Sequence, residues 1–91
     1  MRLFFSNSFL KQVKKLSPPE MAQVEKSLTR LKHFLKTGEK QEGLGFKKIS
    51  GSAYEIRVDI HKRIVLKKDL EDYYALIYGN HNDIERFLRR Q

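Results

Sequence analysis

The second half of the chain contains the stretch that decides the fold, FKKISGSAYEIRVDIHKRIVLKKDLEDYYALIY, which spans residues 46–78. Apolar and polar residues alternate along it, most regularly from Tyr54 to His61, as is typical of strands with one buried and one solvated face. Its last segment is apolar at nearly every position, which predicts a central strand covered on both faces. Strands joined by short turns pair antiparallel in a meander. The expected strands are Phe46–Ile49, Tyr54–His61, Lys62–Lys67 and Asp72–Tyr78.

Two helices are expected ahead of this meander, after a short apolar strand at Arg2–Phe5. Ser6 supplies N-cap chemistry for the first helix, which carries apolar residues on one face as far as Leu16. The run SPPE at residues 17–20 begins the second helix, because it offers a capping serine, a proline suited to the first helical position and a capping-box glutamate. Gly38 stands where a C-cap glycine belongs. The connection between the helices is so short that they should form an antiparallel hairpin.

A last helix is expected to start at Asn82-Asp83 and to carry apolar residues from Ile84 to Leu88. The predicted fold class is therefore α+β, with an N-terminal strand and a helical hairpin packed on an antiparallel β-meander, followed by a C-terminal helix. All helices are expected on one face of the sheet. At 91 residues, the chain is expected to form a single domain over residues 1–91.

The charge of the chain is strongly positive, since 19 Lys and Arg stand against 11 Asp and Glu and give a net charge of +8. Most of this excess lies in residues 1–50. A polyanionic partner, either nucleic acid or the ribosome, is the expected consequence, although ordinary solubilising lysines on helices are the alternative. The candidate RNA- or ribosome-binding residues are Lys11, Lys14, Lys15, Lys26, Arg30, Lys32, Lys36, Lys47 and Lys48.

Several classes of protein are excluded by what the sequence lacks. It contains no cysteine, which rules out a disulfide scaffold, thiol catalysis and cysteine-ligated zinc. Its histidines are scattered, so we expect no metal and no cofactor. No phosphate-binding glycine loop or nucleophile-elbow motif is present. No apolar run approaches the length of a membrane span, and the first residues are too polar for a signal peptide, so a cytoplasmic protein without membrane contact is expected.

One group of polar residues is a candidate for chemistry. Glu55, Arg57, Asp59 and His61 share one face of a strand, because residues two apart point to the same side. The next strand adds Arg63, and the loop after the last strand adds His81. The alternative interpretation is a solvated sheet face on which these residues balance one another as cross-strand ion pairs.

Three runs in this region resemble the RelE/ParE superfamily of bacterial toxins. They are KISGSAYEIRV (residues 48–58), KRIVL (62–66) and LIYGNHNDI (76–84), in the order and with the spacing of that family. The size of the chain, its helical hairpin and its C-terminal helix match as well, so the resemblance covers nearly the whole sequence. It implies the RelE-like fold.

The RelE-like branch consists of endoribonucleases that cut mRNA in the ribosomal A site without a metal. The resemblance implies that the ribose 2′-OH attacks the neighbouring phosphate, and that Arg63 stabilises the phosphorane. It places Arg57 as a second basic residue and His81 near the leaving group, where an imidazole can act as an acid. The general base is left open among Glu55, Asp59 and His61, with Glu55 among the catalytic candidates.

The resemblance also leaves two other functions open. A ParE-like chain inhibits DNA gyrase and has no nuclease centre. A catalytically weak RelE-like protein is the other alternative, because Glu85 stands where the family pattern has a tyrosine. Every toxin interpretation implies a cognate antitoxin that forms an oligomer with this chain and covers Arg57 and Arg63. The RelE-like interpretation adds the ribosome and mRNA as partners.

Overall fold

The computed structural model describes residues 1–90, and its secondary structure follows the predicted order. Short N-terminal elements precede one long helix, four strands follow in succession, and a third helix ends the described chain. The elements are β1 (Leu3–Phe5), α1 (Asn7–Val13), α2 (Pro18–Thr37), β2 (Lys47–Ser50), β3 (Ala53–Arg57), β4 (Arg63–Asp69), β5 (Asp72–Gly79) and α3 (His81–Arg89).

The sheet has the strand order β1-β5-β4-β3-β2. Strands β2 to β5 form the predicted antiparallel meander. The sheet as a whole is mixed, however, because β1 pairs parallel with β5, with Leu3 opposite Tyr73 and Phe5 opposite Ala75. Parallel pairing is possible here because α1 and α2 lie between β1 and the meander in sequence and provide the long connection that it requires. β5 therefore has a strand on each side.

β5 extends past the end of β1, and a side chain closes the edge left open there. The amide of Gln12 in α1 donates from Nε2 to the carbonyl of Tyr78 at 2.9 Å and accepts from the Tyr78 N–H at 3.0 Å. This pair of bonds replaces the neighbouring strand that Tyr78 lacks. Because an unpaired part-buried backbone group is costly, Gln12 fixes α1 against the end of β5.

The main core lies between the sheet and the helices α1 and α2. Phe9, Val24 and Leu31 from the helices pack against Ile56 and Ile64 from the sheet, and all five are buried. The predicted helix starts are confirmed, since the hydroxyls of Ser6 and Ser17 accept the N–H groups of the residues three positions on. The long helix ends at Gly38 in the left-handed conformation (φ 78°), as predicted for a C-cap glycine.

Helix α3 packs on the opposite face of the sheet from α1 and α2, so the expectation of helices on one face is wrong. Val65 in β4 alternates with the main-core residues Ile64 and Leu66 and therefore points to the other side, where it is buried. Ile84 of α3 is also buried and also stands outside the main core. The two apolar faces of β5 thus have a helix each.

Strand β3 ends at Arg57 instead of continuing to His61, which corrects the predicted strand. The carboxylate of Asp59 accepts the backbone N–H groups of His61 at 2.7 Å and Lys62 at 2.8 Å. This local turn competes with strand pairing, and the β3–β4 pairing ends at Arg57 and Arg63. Ile60, expected on the buried face, is 77% exposed at the tip of the turn.

Among residues 1–90, none of the helices combines the length and the hydropathy that crossing a membrane requires.

Candidate functional site

A groove of about 670 Å³ opens on the face of the sheet that carries α3. The floor comes from β2, β3 and β4, and the walls come from the β3–β4 turn and one side of α3. Its charged and imidazole side chains are Lys47, Glu55, His61, Lys62, Arg63, His81 and Glu85, and its apolar residues are Ile49, Ile60, Ile84 and Leu88. Three cations and two carboxylates contribute to this lining, and the Nζ of Lys62 lies over the ring of Tyr78, 5.7 Å from its centroid.

Arg63 is held in one orientation at the start of β4. Its Nε donates to Glu55 Oε2 at 3.2 Å, and its Nη1 donates to the carbonyls of Asp59 at 3.0 Å and Lys62 at 3.3 Å. Within residues 1–90, no protein acceptor engages Nη2. A guanidinium fixed on one side and open on the other is prepared to donate to an anion without reorganising.

Glu55 is shared between two cations of the groove. Besides Arg63, the Nζ of Lys47 lies 3.9 Å from the same carboxylate oxygen. Register explains this, because Lys47 is opposite Glu55 across the β2–β3 pair and Arg63 is diagonal to it across β3 and β4. The Glu55 side chain is 14% exposed and that of Arg63 is 24% exposed, so their pairing is less screened than a surface ion pair.

His81 stands at the first position of α3, and not in a free loop as the sequence suggests. The side chain of Asn80 accepts the N–H of Asp83, and Asp83 in return accepts the N–H of Asn80 at 3.0 Å, which completes a capping box. The hydrogen bond from the Asn80 backbone, followed by that from Arg86, holds the pKa of Asp83 below its usual value. Because this box sets where α3 begins, it sets the position of His81 over the groove.

Glu85 follows His81 by one helical turn, and its Oε1 lies 3.1 Å from His81 Nε2. Both side chains are largely exposed, at 54% for Glu85 and 84% for His81. An exposed pair of this kind contributes little to stability. It does keep a carboxylate beside the His81 imidazole, and both residues line the groove.

Arg57 does not line the groove, although it is on the same face of the sheet and directly opposite Arg63 in the β3–β4 pair. Its side chain lies against the loop before β2, where a Cβ placed on Gly45 would be 3.0 Å from the Arg57 Cβ. Its backbone N–H donates to the Leu44 carbonyl at 2.8 Å. Arg57 is exposed, so it is near the candidate site and outside its lining.

The predicted base candidates have different surroundings. His61 is exposed and lines the groove. Asp59 lies outside the lining, and its Oδ1 is occupied by two backbone N–H groups of its own turn. Glu55 lines the groove with its carboxylate between two cations. Of these three, His61 has the access that a proton acceptor needs.

The candidate docking cations lie in two places. Those on or next to α1 and α2 are exposed except for half-buried Arg30, and these helices cover the face of the sheet opposite the groove. Lys47 and Lys48, on the edge strand β2, are exposed, and only Lys47 reaches the groove. In residues 1–90, no three or more His, Asp or Glu side chains come together as a possible metal site.

Ile60 and Lys62 line the groove, although the sequence pattern predicts Ile60 in the core and Lys62 at the start of a strand. The signal that could have located them is Asp59, since an aspartate two residues before a backbone N–H often closes a turn and ends a strand. The Asp59 turn places both Ile60 and Lys62 beside the groove.

No protein-family model matches the sequence, and no curated protein is found as a relative by sequence comparison. Solved structures do match. The RelB-RelE antitoxin-toxin complex from Methanococcus jannaschii has a chain with a TM-score of 0.67 and 15% identity, over 92% of this chain and 96% of that one. A chain of the DinJ-YafQ complex from E. coli matches with a TM-score of 0.69 and 15% identity, over 90% of this chain and 94% of that one. A chain of the intact E. coli RelBE toxin-antitoxin complex matches with a TM-score of 0.60 and 20% identity, over 86% of this chain and 93% of that one. The chain therefore has the fold of the RelE-like toxins.

Proposed function

We propose that this chain is the toxin of a toxin–antitoxin pair, and that it cleaves mRNA on the ribosome through the groove beneath α3. The observation that carries the proposal is the preoriented guanidinium of Arg63 in a groove that two imidazoles also line, on a fold shared with solved toxin–antitoxin complexes. The protein would act in the cytoplasm, where its substrate is translated.

The reaction that fits these side chains is attack by a ribose 2′-OH on the adjacent phosphate. The bond from the 2′ oxygen to phosphorus forms, the bond from phosphorus to the 5′ oxygen breaks, and a 2′,3′-cyclic phosphate and a 5′-hydroxyl result. Arg63 donates from Nη2 to the phosphate oxygens, on which charge accumulates in the transition state. Such a donor is most effective when it is fixed beforehand, and three hydrogen bonds fix this one.

Two proton transfers accompany that reaction. We assign His61 to accept the proton of the 2′-OH and His81 to donate a proton to the 5′ oxygen. Both side chains line the groove and are exposed, and imidazole exchanges protons near neutral pH. Glu55 is assigned to holding Arg63, since its carboxylate already accepts from that guanidinium.

The partners follow from the charge and from the fold. The chain carries a net charge of +8, and its exposed lysines on α1 and α2 lie on the face of the sheet away from the groove. These lysines would bind ribosomal RNA while the groove engages mRNA. An acidic antitoxin encoded beside this chain would compete for the same cations and form an oligomer with it.

Primer extension on mRNA from a translating extract tests this function. The protein should create new 3′ ends within translated codons, and stripping the ribosomes from the same mRNA should abolish them. Adding the product of the neighbouring gene should suppress the cuts. Intact mRNA with arrested DNA replication would instead support a ParE-like gyrase inhibitor, and cleavage of free RNA at the same rate would remove the ribosome from the proposal.

One observation favours a second candidate, a RelE-fold protein with weak nuclease activity. Glu85 keeps a carboxylate 3.1 Å from His81 Nε2 at the position where the family pattern has a tyrosine. A negative charge beside the scissile phosphate would repel it. Glu85→Tyr and Glu85→Gln separate the two candidates, because both should raise the cleavage rate of a weak enzyme and leave a fully active one unchanged or slower.

A further inference from the structure

We propose that Ile60 is a positioning residue that wedges against the bases beside the scissile phosphate and unstacks them. This inference rests on the proposed cleavage of RNA in the groove. Ile60 is 77% exposed, lines the groove, and stands three residues before Arg63.

The turn that carries Ile60 is fixed, which distinguishes it from a mobile surface loop. Asp59 holds the turn through two backbone hydrogen bonds, at 2.7 Å and 2.8 Å, and the Asp59 carbonyl accepts from Arg63 Nη1 at 3.0 Å. The apolar side chain and the phosphate-binding guanidinium are therefore parts of one rigid unit. A base pushed by Ile60 would move relative to a phosphate held by Arg63.

The charges around Ile60 match a nucleotide strand. His61 and Lys62 follow it directly and line the groove with it, and Lys47 of β2 lines the same groove. Proteins that distort DNA insert apolar side chains between base steps and partly unstack them, while nearby cations bind the phosphates. The groove also offers Ile49 and Leu88 as an apolar surface for a displaced base.

Unstacking would serve the chemistry. In a stacked RNA strand the 2′ oxygen is poorly aligned with the bond to the leaving 5′ oxygen, so the sugar and its base must rotate before in-line attack. A rigid wedge makes that rotation part of binding, and its removal should slow the chemical step more than it weakens association. The aliphatic side chain makes no hydrogen bonds to base edges, so the wedge itself should not select among bases.

The test uses ribosomes programmed with an mRNA that carries 2-aminopurine in the A-site codon next to a 2′-deoxynucleotide, which blocks cleavage. Wild-type protein should raise the 2-aminopurine fluorescence as the base unstacks. Ile60→Ala should lose most of this rise, and Ile60→Leu should restore it. Leu70→Ala is the matched control, because Leu70 is 88% exposed but lies in the β4–β5 turn, outside the groove lining.

Cleavage of the all-ribose mRNA provides the second measurement. We expect Ile60→Ala to lower kcat on the order of tenfold with little change in KM, and Leu70→Ala to match the wild type. Equal fluorescence and equal kcat in Ile60→Ala and Leu70→Ala would overturn the wedge while leaving the nuclease intact. If Ile60→Ala binds the antitoxin more weakly and cleaves mRNA at the wild-type rate, the wedge proposal is also overturned, and Ile60 contacts the antitoxin instead. Absence of cleavage by the wild type would instead refute the proposed function itself.

Discussion

The guanidinium of Arg63 is fixed by the carboxylate of Glu55, with 3.2 Å between Nε and Oε2, in the groove between the sheet and α3. Two backbone carbonyls hold Nη1 of the same side chain. Only Nη2 is left, among the described residues, to bind an anion. Glu55 on β3 thus orients the guanidinium of Arg63 on the neighbouring strand β4, and Nη2 of that guanidinium stays available for an anion.

Arg63→Ala should reduce mRNA cleavage on the ribosome on the order of 10²-fold or more, because it removes a preorganised donor to the transition state. The measurement is the rate of appearance of cut ends by primer extension. Arg89→Ala is the matched control, since Arg89 is an exposed arginine of α3 outside the groove lining. Equal losses in the two variants would mean that net charge, and not the position of Arg63, supports cleavage.

Glu55→Gln should keep cleavage within a few-fold of the wild type, because a glutamine oxygen can still accept from Arg63 Nε. Glu55→Leu should lose far more, since it leaves that N–H without a partner in a half-buried site. If Glu55 were the general base, the glutamine variant would fall about 10²- to 10⁴-fold, as the leucine variant does. Cleavage rates of the two variants under identical conditions distinguish the roles.

Asn80→Ala should lower the free energy of unfolding by about 1 kcal/mol, since it removes the N-cap of α3. For a domain of this size, a loss of about 1 kcal/mol corresponds to a fall in Tm of about 4–8 °C. Asn82→Ala, at the second position of the same helix and not at its cap, should change Tm much less. Thermal unfolding followed by circular dichroism makes the comparison, and matching shifts in both variants would argue against the capping box.

The hydroxyl of Tyr78 should make stability depend on alkaline pH. Burial, and then the carboxylates of Glu20 and Asp59, raise the pKa of Tyr78 from 10.0 to about 12. The folded state keeps a proton that the unfolded chain loses first, so this contribution is complete below pH 10 and is lost as the pH rises towards 12. Urea unfolding of wild type and Tyr78→Phe between pH 9 and 11.5 should show the steeper decline in the wild type. Parallel declines would contradict the raised pKa.

Gln12→Ala should destabilise the fold by about 1–3 kcal/mol, because it leaves the N–H and carbonyl of Tyr78 unpaired at a part-buried strand end. Gln23→Ala is the control, since Gln23 is an exposed glutamine in the middle of α2. Chemical denaturation gives both values. If Gln12→Ala lowers the free energy of unfolding no more than Gln23→Ala does, water replaces the Gln12 amide at no cost in stability.

The meander and the helix ends could be predicted because local rules determine them. The alternation along β3, the continuous apolar run of β5 and the serine caps at residues 6 and 17 need no knowledge of distant partners. The parallel pairing of β1 with β5 is a choice between non-local partners, which short apolar strands do not specify. The apolar residues on both sides of β5 predict that both of its faces are covered, but they do not specify that α3 covers the second face.

The candidate site was predictable in its parts and not in its geometry. Glu55, Arg63 and His81 do line one groove, whereas Arg57 stays outside its lining because it lies against the loop before β2. The alternating pattern continues past Arg57 and therefore predicts Ile60 in the core, because nothing in that pattern reveals that the side chain of Asp59 ends the strand.

The chemistry of the RNA ends left on translating ribosomes tests the central claim most directly. Attack by the 2′-OH predicts a 2′,3′-cyclic phosphate on the upstream fragment and a 5′-hydroxyl on the downstream fragment. Polynucleotide kinase should therefore label the downstream fragments without prior phosphatase treatment, and Arg63→Ala should remove those labelled products. Fragments with 5′-phosphate and 3′-hydroxyl ends, or mRNA that stays intact, would contradict the account.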